Sequence, residues 1–214
     1  MAVMNVNPTR MELTNLKKKL ATARKGHRLL KDKRDELMRQ FLDLARENKK
    51  LRVKVEAGIK QSNQNMALAR SVMSDEEIQV ALMMPSQKMT VDVKLKNVMS
   101  VVVPQFNAQF KMAKADEIYS YGYAFTSSDL DKAVKSIADI MPDMLRLAEV
   151  EKQCQLMSAE IEKTRRRVNA LEHVMIPQYE DTIKYITMKL AENERATTTR
   201  LMKVKDMMIA QNRR

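Results

Sequence analysis

Apolar residues recur at alternating steps of three and four from Leu13 to Gly58, and few architectures other than a coiled coil accommodate that pattern. One seam reads Leu16, Ala23, Leu30, Leu37, Leu44, Leu51 and Gly58, and its companion reads Leu13, Leu20, His27, Arg34, Phe41, Asn48 and Val55. Spacing of 3.5 residues sustained over more than six heptads exceeds what an ordinary amphipathic surface helix shows. At the α-helical rise the stretch spans roughly 70 Å. Asn7 or Thr9 can cap its start, Pro8 suits the first turn, and Thr9 with Glu12 has capping-box spacing.

The last third of the chain repeats the pattern. Val150, Cys154, Met157, Ile161, Thr164, Val168, Leu171 and Met175 form a seam that continues as Tyr179, Ile183, Ile186, Leu190, Asn193, Thr197, Leu201, Val204 and Met208. Two steps of four in succession, at 175–179–183 and 193–197–201, are stutters that locally unwind a supercoil. Pro177 adds a missing N–H at the first stutter, so a bend is expected there. A continuous helix from Leu145 to Asn212 would run roughly 100 Å.

Between these helices the period changes. Ser74 and Glu77 predict a capped short helix ending near Pro85. Met89, Val91, Val93 and Leu95 alternate with Thr90, Asp92, Lys94 and Lys96, which is strand spacing. A turn at Lys96–Asn97 into Val98–Val103, closed by Pro104, predicts a β-hairpin. Tyr119, Tyr121, Tyr123 and Phe125 gather around Gly122, and Ser128 is placed to cap the next helix, with Pro142 near the first turn of the long helix proper. The expected division is 1–74 (first long helix), 75–128 (short helix and hairpin) and 129–214 (second long helix). Two long helices of one chain joined by a middle segment can pair with each other only antiparallel. The expected fold is therefore all-α: a long antiparallel two-helix left-handed coiled coil with a small hairpin and short-helix knob between the helices.

Charge placement sharpens this picture. The net charge is +12, yet Arg10–Arg34 holds ten Lys/Arg against two acids, and Lys184–Arg214 holds eight against three. An antiparallel pair brings those stretches together into one basic tip, which attracts an anionic partner. The consecutive runs Lys17–Lys18–Lys19 and Arg165–Arg166–Arg167 point to several sides of their helices. Chemistry is sparse by contrast. There are three glycines, no Trp and one cysteine; no phosphate-cradling glycine loop, no HExxH and no paired Cys-x-x-Cys occurs. No catalytic residue, metal ligand or cofactor is expected. Cys154 lies on the apolar seam, where a thiol acts as a small core residue. No apolar run approaches the ~20 residues of a membrane helix, so a cytoplasmic protein without membrane insertion is expected. The polar seam residues His27, Arg34, Asn48 and His173 are candidates for fixing axial register. Placing Leu13 opposite Met208 sets His27 against Glu194 and His173 against Asn48. Two other classes fit the pattern: a hairpin-containing coiled-coil chaperone of the prefoldin type, and a basic helical protein on nucleic acid, although no stacking platform accompanies the charge.

Several stretches are closely similar to a known family. Asn5-Val6-Asn7-Pro8-Thr9-Arg10-Met11-Glu12-Leu13, Gly26-His27-Arg28-Leu29-Leu30-Lys31-Asp32-Lys33-Arg34-Asp35-Glu36-Leu37, and Lys163-Thr164-Arg165-Arg166-Arg167-Val168-Asn169-Ala170-Leu171-Glu172, with Ile176-Pro177 and Glu192-Asn193-Glu194-Arg195, resemble the D subunits of the vacuolar/archaeal-type (V/A-type) rotary ATPases in their bacterial form. The resemblance covers both long helices and is weakest between Gly58 and Ser128. It implies a central axle, peripheral to the membrane and not a homo-oligomer, whose tip sits within a ring of catalytic and regulatory subunits. A small F subunit of the stalk would grip its side, and a funnel-shaped stalk subunit would link it to the ion-carrying membrane ring. ATP would be bound by the ring and never by the axle, and no nucleic acid is implied. On that reading the expected ring contacts are Arg10, Lys17, Lys18, Lys19, Arg24, Arg195, Arg200 and Lys203. The expected side-partner contacts are Arg165, Arg166 and Arg167, along with the face between Phe41 and Gly58.

Overall fold

A computed structural model describes residues 4–84, 87–112, 119, 121–122 and 126–212. Helix α1 runs Arg10–Val72 and α2 Asp75–Leu82; strands β1 and β2 run Gln87–Val98 and Val101–Met112. Helix α3 runs Ser128–Ala170, a π-helical turn spans Leu171–Met175, and α4 runs Ile176–Asn212. The chain is thus mostly helical, two long helices packed antiparallel with a β-hairpin between them in the sequence. It forms two compact units: Met1–Asp35 with Glu162–Arg214, and Glu36–Ile161.

Local signals set the helix ends. The Thr9 hydroxyl accepts from the Glu12 amide at 3.2 Å, satisfying a first-turn N–H that has no partner in the helix. At α2 the reciprocal box forms: the Glu77 amide donates to Ser74 Oγ at 3.3 Å, and the Ser74 amide donates to Glu77 Oε2 at 3.0 Å. All fourteen expected seam positions of α1, Leu13 through Gly58, are buried or half-buried, so the heptad reading of this helix holds along its full extent.

In the first unit, α1 packs antiparallel on α3 and α4. Leu16, Thr164, Val168, Thr182 and Ile186 are buried. Thr182 is closed off by the segment ahead of α1: its hydroxyl donates to Gln178 O at 2.6 Å and accepts from the Met4 amide at 3.1 Å. The π turn sits directly before Pro177, with the Ile176 amide bonding Leu171 O. Proline lacks the amide that His173 O would receive, and its ring would crowd that carbonyl; widening the preceding turn relieves both. This is the place where the seam stutters.

In the second unit, α1 lies antiparallel to α3. Ser62 Oγ donates to Ala133 O at 3.3 Å, and Lys54 pairs with Asp143 at 2.7 Å. Arg146 reaches Glu47 at 2.9 Å and Glu149 at 3.1 Å; the hydrogen bond to Glu47 raises the guanidinium's affinity for its proton. Glu149 is 5% exposed, and its charge is met by Arg146 and by Gln153 Nε2 at 3.0 Å. Gln153 also donates to Pro104 O at 3.2 Å, tying β2 to α3. Val101 and Val103 of the hairpin bury against Leu37, Met157 and Ile161, with Phe41, Leu44 and Met99 around them. A second cluster joins Ala69, Met73, Ile78 and Leu130, with Tyr121 packed against it; Tyr121 OH donates to Asp131 at 2.8 Å.

Three sequence expectations require correction. The hairpin turns at Met99–Ser100, both at positive φ (50° and 72°), not at Lys96–Asn97. Pro104 does not close the second strand; it pairs with Leu95 inside it, a placement an outer edge tolerates because no ladder amide is lost. Pro142 lies well inside α3, not near a first turn. Of the aromatic group around Gly122, Tyr123 and Phe125 lie outside the described residues; the rings of Tyr119 and Tyr121 are 5.9 Å apart.

Candidate functional site

The charge asymmetry follows the two units. The unit containing both ends of the chain holds 22 Lys/Arg and 10 Asp/Glu, whereas the other holds 17 of each. The whole net charge of +12 therefore belongs to the first unit. Lys17, Lys18, Lys19, Arg195, Arg200 and Lys203 are all exposed there. Arg10 and Arg24 are exposed too, but each is engaged across the helix pair, Arg10 with Glu194 at 2.5 Å and Arg24 with Glu180 at 2.8 Å. Ion pairs this open to water add little stability; their information lies in the register they mark.

That register overturns the flush alignment. Arg10 meets Glu194, and His27 Nε2 lies 3.3 Å from Glu172 Oε2. His27 therefore does not face Glu194, and Leu13 does not face Met208. The pairing of Asn48 with His173 presumed the same alignment and falls with it. The physical reason is an overhang. Since α1 begins at Arg10 and meets α4 at Glu194, the α4 residues beyond have no α1 alongside them, and Ala191–Gln211 is exposed throughout. The seam ends at Leu190. Its apparent continuation, Leu201 at 66%, Val204 at 42% and Met208 at 58% exposure, is an unpaired apolar stripe.

The other polar seam residues take varied positions. The His27 side chain is mostly shielded beside Glu172, and Arg34 pairs with its neighbour Asp35 at 2.7 Å. Asn48 is half-buried and His173 is exposed in the π turn. Arg165, Arg166 and Arg167 are exposed, with Arg166 bonded to Glu162 one turn back. Cys154 is half-buried on the seam, and burial with the nearby carboxylates of Glu151 and Glu47 pushes its thiol pKa up. Sequence reasoning missed the overhang, because a heptad seam on one helix does not say where its partner begins.

Among the described residues no group of three or more His, Cys, Asp or Glu side chains is placed to hold a metal, and no described helix is long and apolar enough to cross a membrane. The arrangement offers binding surfaces: a strongly basic helix pair, a bare apolar stripe with Arg and Lys beside it, and a hairpin clipped to the second unit.

Comparison with known proteins gives these surfaces a context. The family model for the D subunit of ATP synthase matches residues 12–206. The V-type ATP synthase D subunit of Acetivibrio thermocellus is 58% identical over 211 residues, covering 99% of this chain and 95% of the relative. That of Clostridioides difficile is 59% identical, covering 98% and 94%, and that of a Thermoanaerobacter species is 54% identical, covering 98% and 99%. The match runs through both long helices and the segment between them, and the chain belongs to the ATP synthase D-subunit family.

Proposed function

We propose that this chain is the central-stalk rotor of a V-type ATP synthase, a non-catalytic subunit that transmits torque between the nucleotide-handling ring and the ion-translocating membrane rotor. The observation that carries the reading is the near-complete match, at more than half identity, to V-type ATP synthase D subunits. The physical design supports it. A shaft must resist twist, and an antiparallel helix pair buries side chains along its length. One chain folded back on itself has no threefold symmetry, so three equivalent ring sites would each meet a different surface. Rotation then changes which site is open.

The α4 overhang and the basic surface beside it are the parts we assign to the ring. Lys17, Lys18, Lys19, Arg195, Arg200 and Lys203 would face an acidic bore, with Arg10 and Arg24 holding the helix pair in register beneath them. A sliding contact favours such screened, long-range attraction over a locked apolar fit. Arg165, Arg166 and Arg167 are assigned to the small F subunit at the side, and the second unit to the funnel-shaped stalk subunit. His27, Arg34, Asn48 and His173 are assigned to holding the helices in register, His27 through Glu172. The protein would work on the cytoplasmic side, peripheral to the membrane.

The test is a pull-down of the tagged chain from its native lysate, with mass spectrometry and an ATPase assay. Ring subunits and a small partner should be recovered, and removal of residues 200–214 should uncouple or abolish activity. Recovery of nucleic acid or unfolded clients without ATPase subunits would overturn the reading.

A further inference from the structure

Core packing stops partway along the helix pair of the first unit. On α1 Leu16 is buried, but none of the described residues 17–35 is. On the partner path Thr164 and Val168 are buried, then none of the described residues 169–181, then Thr182 and Ile186. The two gaps lie at one level, because His27 Nε2 is 3.3 Å from Glu172 Oε2. Each helix is also weakest there. The π turn Leu171–Met175 has no buried residue and leaves Val174 50% and Met175 40% exposed. Pro177 follows it and cannot donate to His173 O. Wide turns and prolines are where long helices bend. Facing the π turn, α1 carries Gly26. A Cβ there would meet nothing within 4 Å, so close packing does not require glycine, and its effect is to loosen the helix. What spans the gap is polar: the His27–Glu172 hydrogen bond, and the Arg24–Glu180 ion pair at 2.8 Å, whose side chains are 62% and 48% exposed.

We propose that this waist, residues 26–27 against 171–177, is a joint in the helix pair, held closed by Arg24–Glu180 and His27–Glu172 in place of an apolar core. Few buried side chains and backbone hydrogen bonds open to water are what make local opening easy. Two exposed polar links hold weakly and lose strength as salt screens them. The joint is therefore stiff in dilute buffer and compliant in concentrated salt. Packed seams on either side, Thr164 with Val168 and Thr182 with Ile186, confine bending and twisting to the waist. In a rotor the joint would let the part of the unit beyond Thr182 lag, under load, behind the part before Val168. That use rests on the stalk reading; the joint itself does not.

The test uses the full-length chain alone. Amide hydrogen exchange should be about tenfold faster at 171–176 and 178–181 than at 183–190. Nitroxide labels at Lys163 and Met188, both exposed, in a Cys154→Ser background report the distance across the waist by pulsed electron resonance. Concentrated salt should widen that distance distribution. Glu172→Gln with Glu180→Gln should widen it in dilute buffer to the width the parent reaches in concentrated salt, with exchange at 183–190 unchanged. Gly26→Ala, which the open space beside Gly26 accommodates, should narrow it. Waist amides as protected as 183–190 would overturn the joint. So would a distribution that neither salt nor the two glutamines widen, or one that Gly26→Ala leaves as broad as before. Because no ring or stalk subunit is present, failure here leaves the stalk reading untouched, and failure of the stalk reading leaves the joint standing.

Discussion

A Cβ added to Gly58 would come within 2.7 Å of Ile140 Cγ1, so this glycine is where α1 and α3 approach most closely among the three the chain contains. Ile140 is β-branched and stiff at χ1, and the crowding has no easy release. Gly58→Ala should cost about 1–2 kcal/mol by overpacking, read from urea unfolding. In an Ile140→Ala background the same change should be close to neutral, and an equal cost in both backgrounds would refute the clash. In the heptad Gly58 already stands at a seam position, but periodicity alone does not tell a close approach from a fraying end. Cys154 was more readable: a seam thiol is a core residue, and burial with Glu151 and Glu47 raises its pKa. Because the folded thiol holds its proton to higher pH than the unfolded one, native iodoacetamide labelling should rise at higher pH than labelling in urea. Stability tied to that proton is complete below the unfolded thiol value and declines as pH climbs through the folded one. Coincident labelling profiles would show that burial does not reach the sulfur.

At the scale of elements, the long helices were legible because the three-and-four spacing from Leu13 to Gly58 persists through the polar breaks at His27, Arg34 and Asn48, and the π turn was foreshadowed by a stutter beside Pro177. The hairpin was only half legible. Pro104 reads as a strand end, although Phe106, Ala108 and Phe110 alternate with Gln105, Asn107 and Gln109 beyond it, a period-two pattern that marks the continuing strand. The turn escaped because Met99 and Ser100 occupy a conformation that two-residue hairpins usually give to Asn and Gly. Ser100 is held at φ 72° between the paired Val98 and Val101, its amide donating to Asn97 Oδ1 at 2.9 Å. Ser100→Gly should therefore stabilise the protein by about 1 kcal/mol, and an unchanged midpoint would mean the turn is not strained. Burial separates two leucines that composition treats alike. Leu37, fully buried under Val101 and Val103, should cost about 2–5 kcal/mol when replaced by Ala. Leu95, on the outward hairpin face, should tolerate Ser within about 0.5 kcal/mol.

At the scale of the whole molecule, the sequence placed the net charge at the two chain ends, and the fold collects those ends into one unit. What it could not supply was the axial register, since leucines at equal spacing pair almost equally well one heptad along; pairs such as Arg10 with Glu194 depend on where α1 starts. The same charge argument yields a test that separates attraction from packing. Replacing Lys17, Lys18, Lys19, Arg200 and Lys203 together by Gln removes five exposed charges from the unit that holds the entire excess. Replacing Lys49, Lys50, Lys60, Lys88 and Lys135 removes five from the balanced unit. Both variants should melt like the parent, because exposed charges contribute little to stability. Only the first should weaken assembly with the ring, and the deficit should be largest in dilute buffer, shrinking as added salt cuts the screening length to about 8 Å near physiological strength. Equal weakening by both sets would mean that total charge, and not its placement, drives association. A deficit independent of salt would mean that these side chains act by packing against the ring.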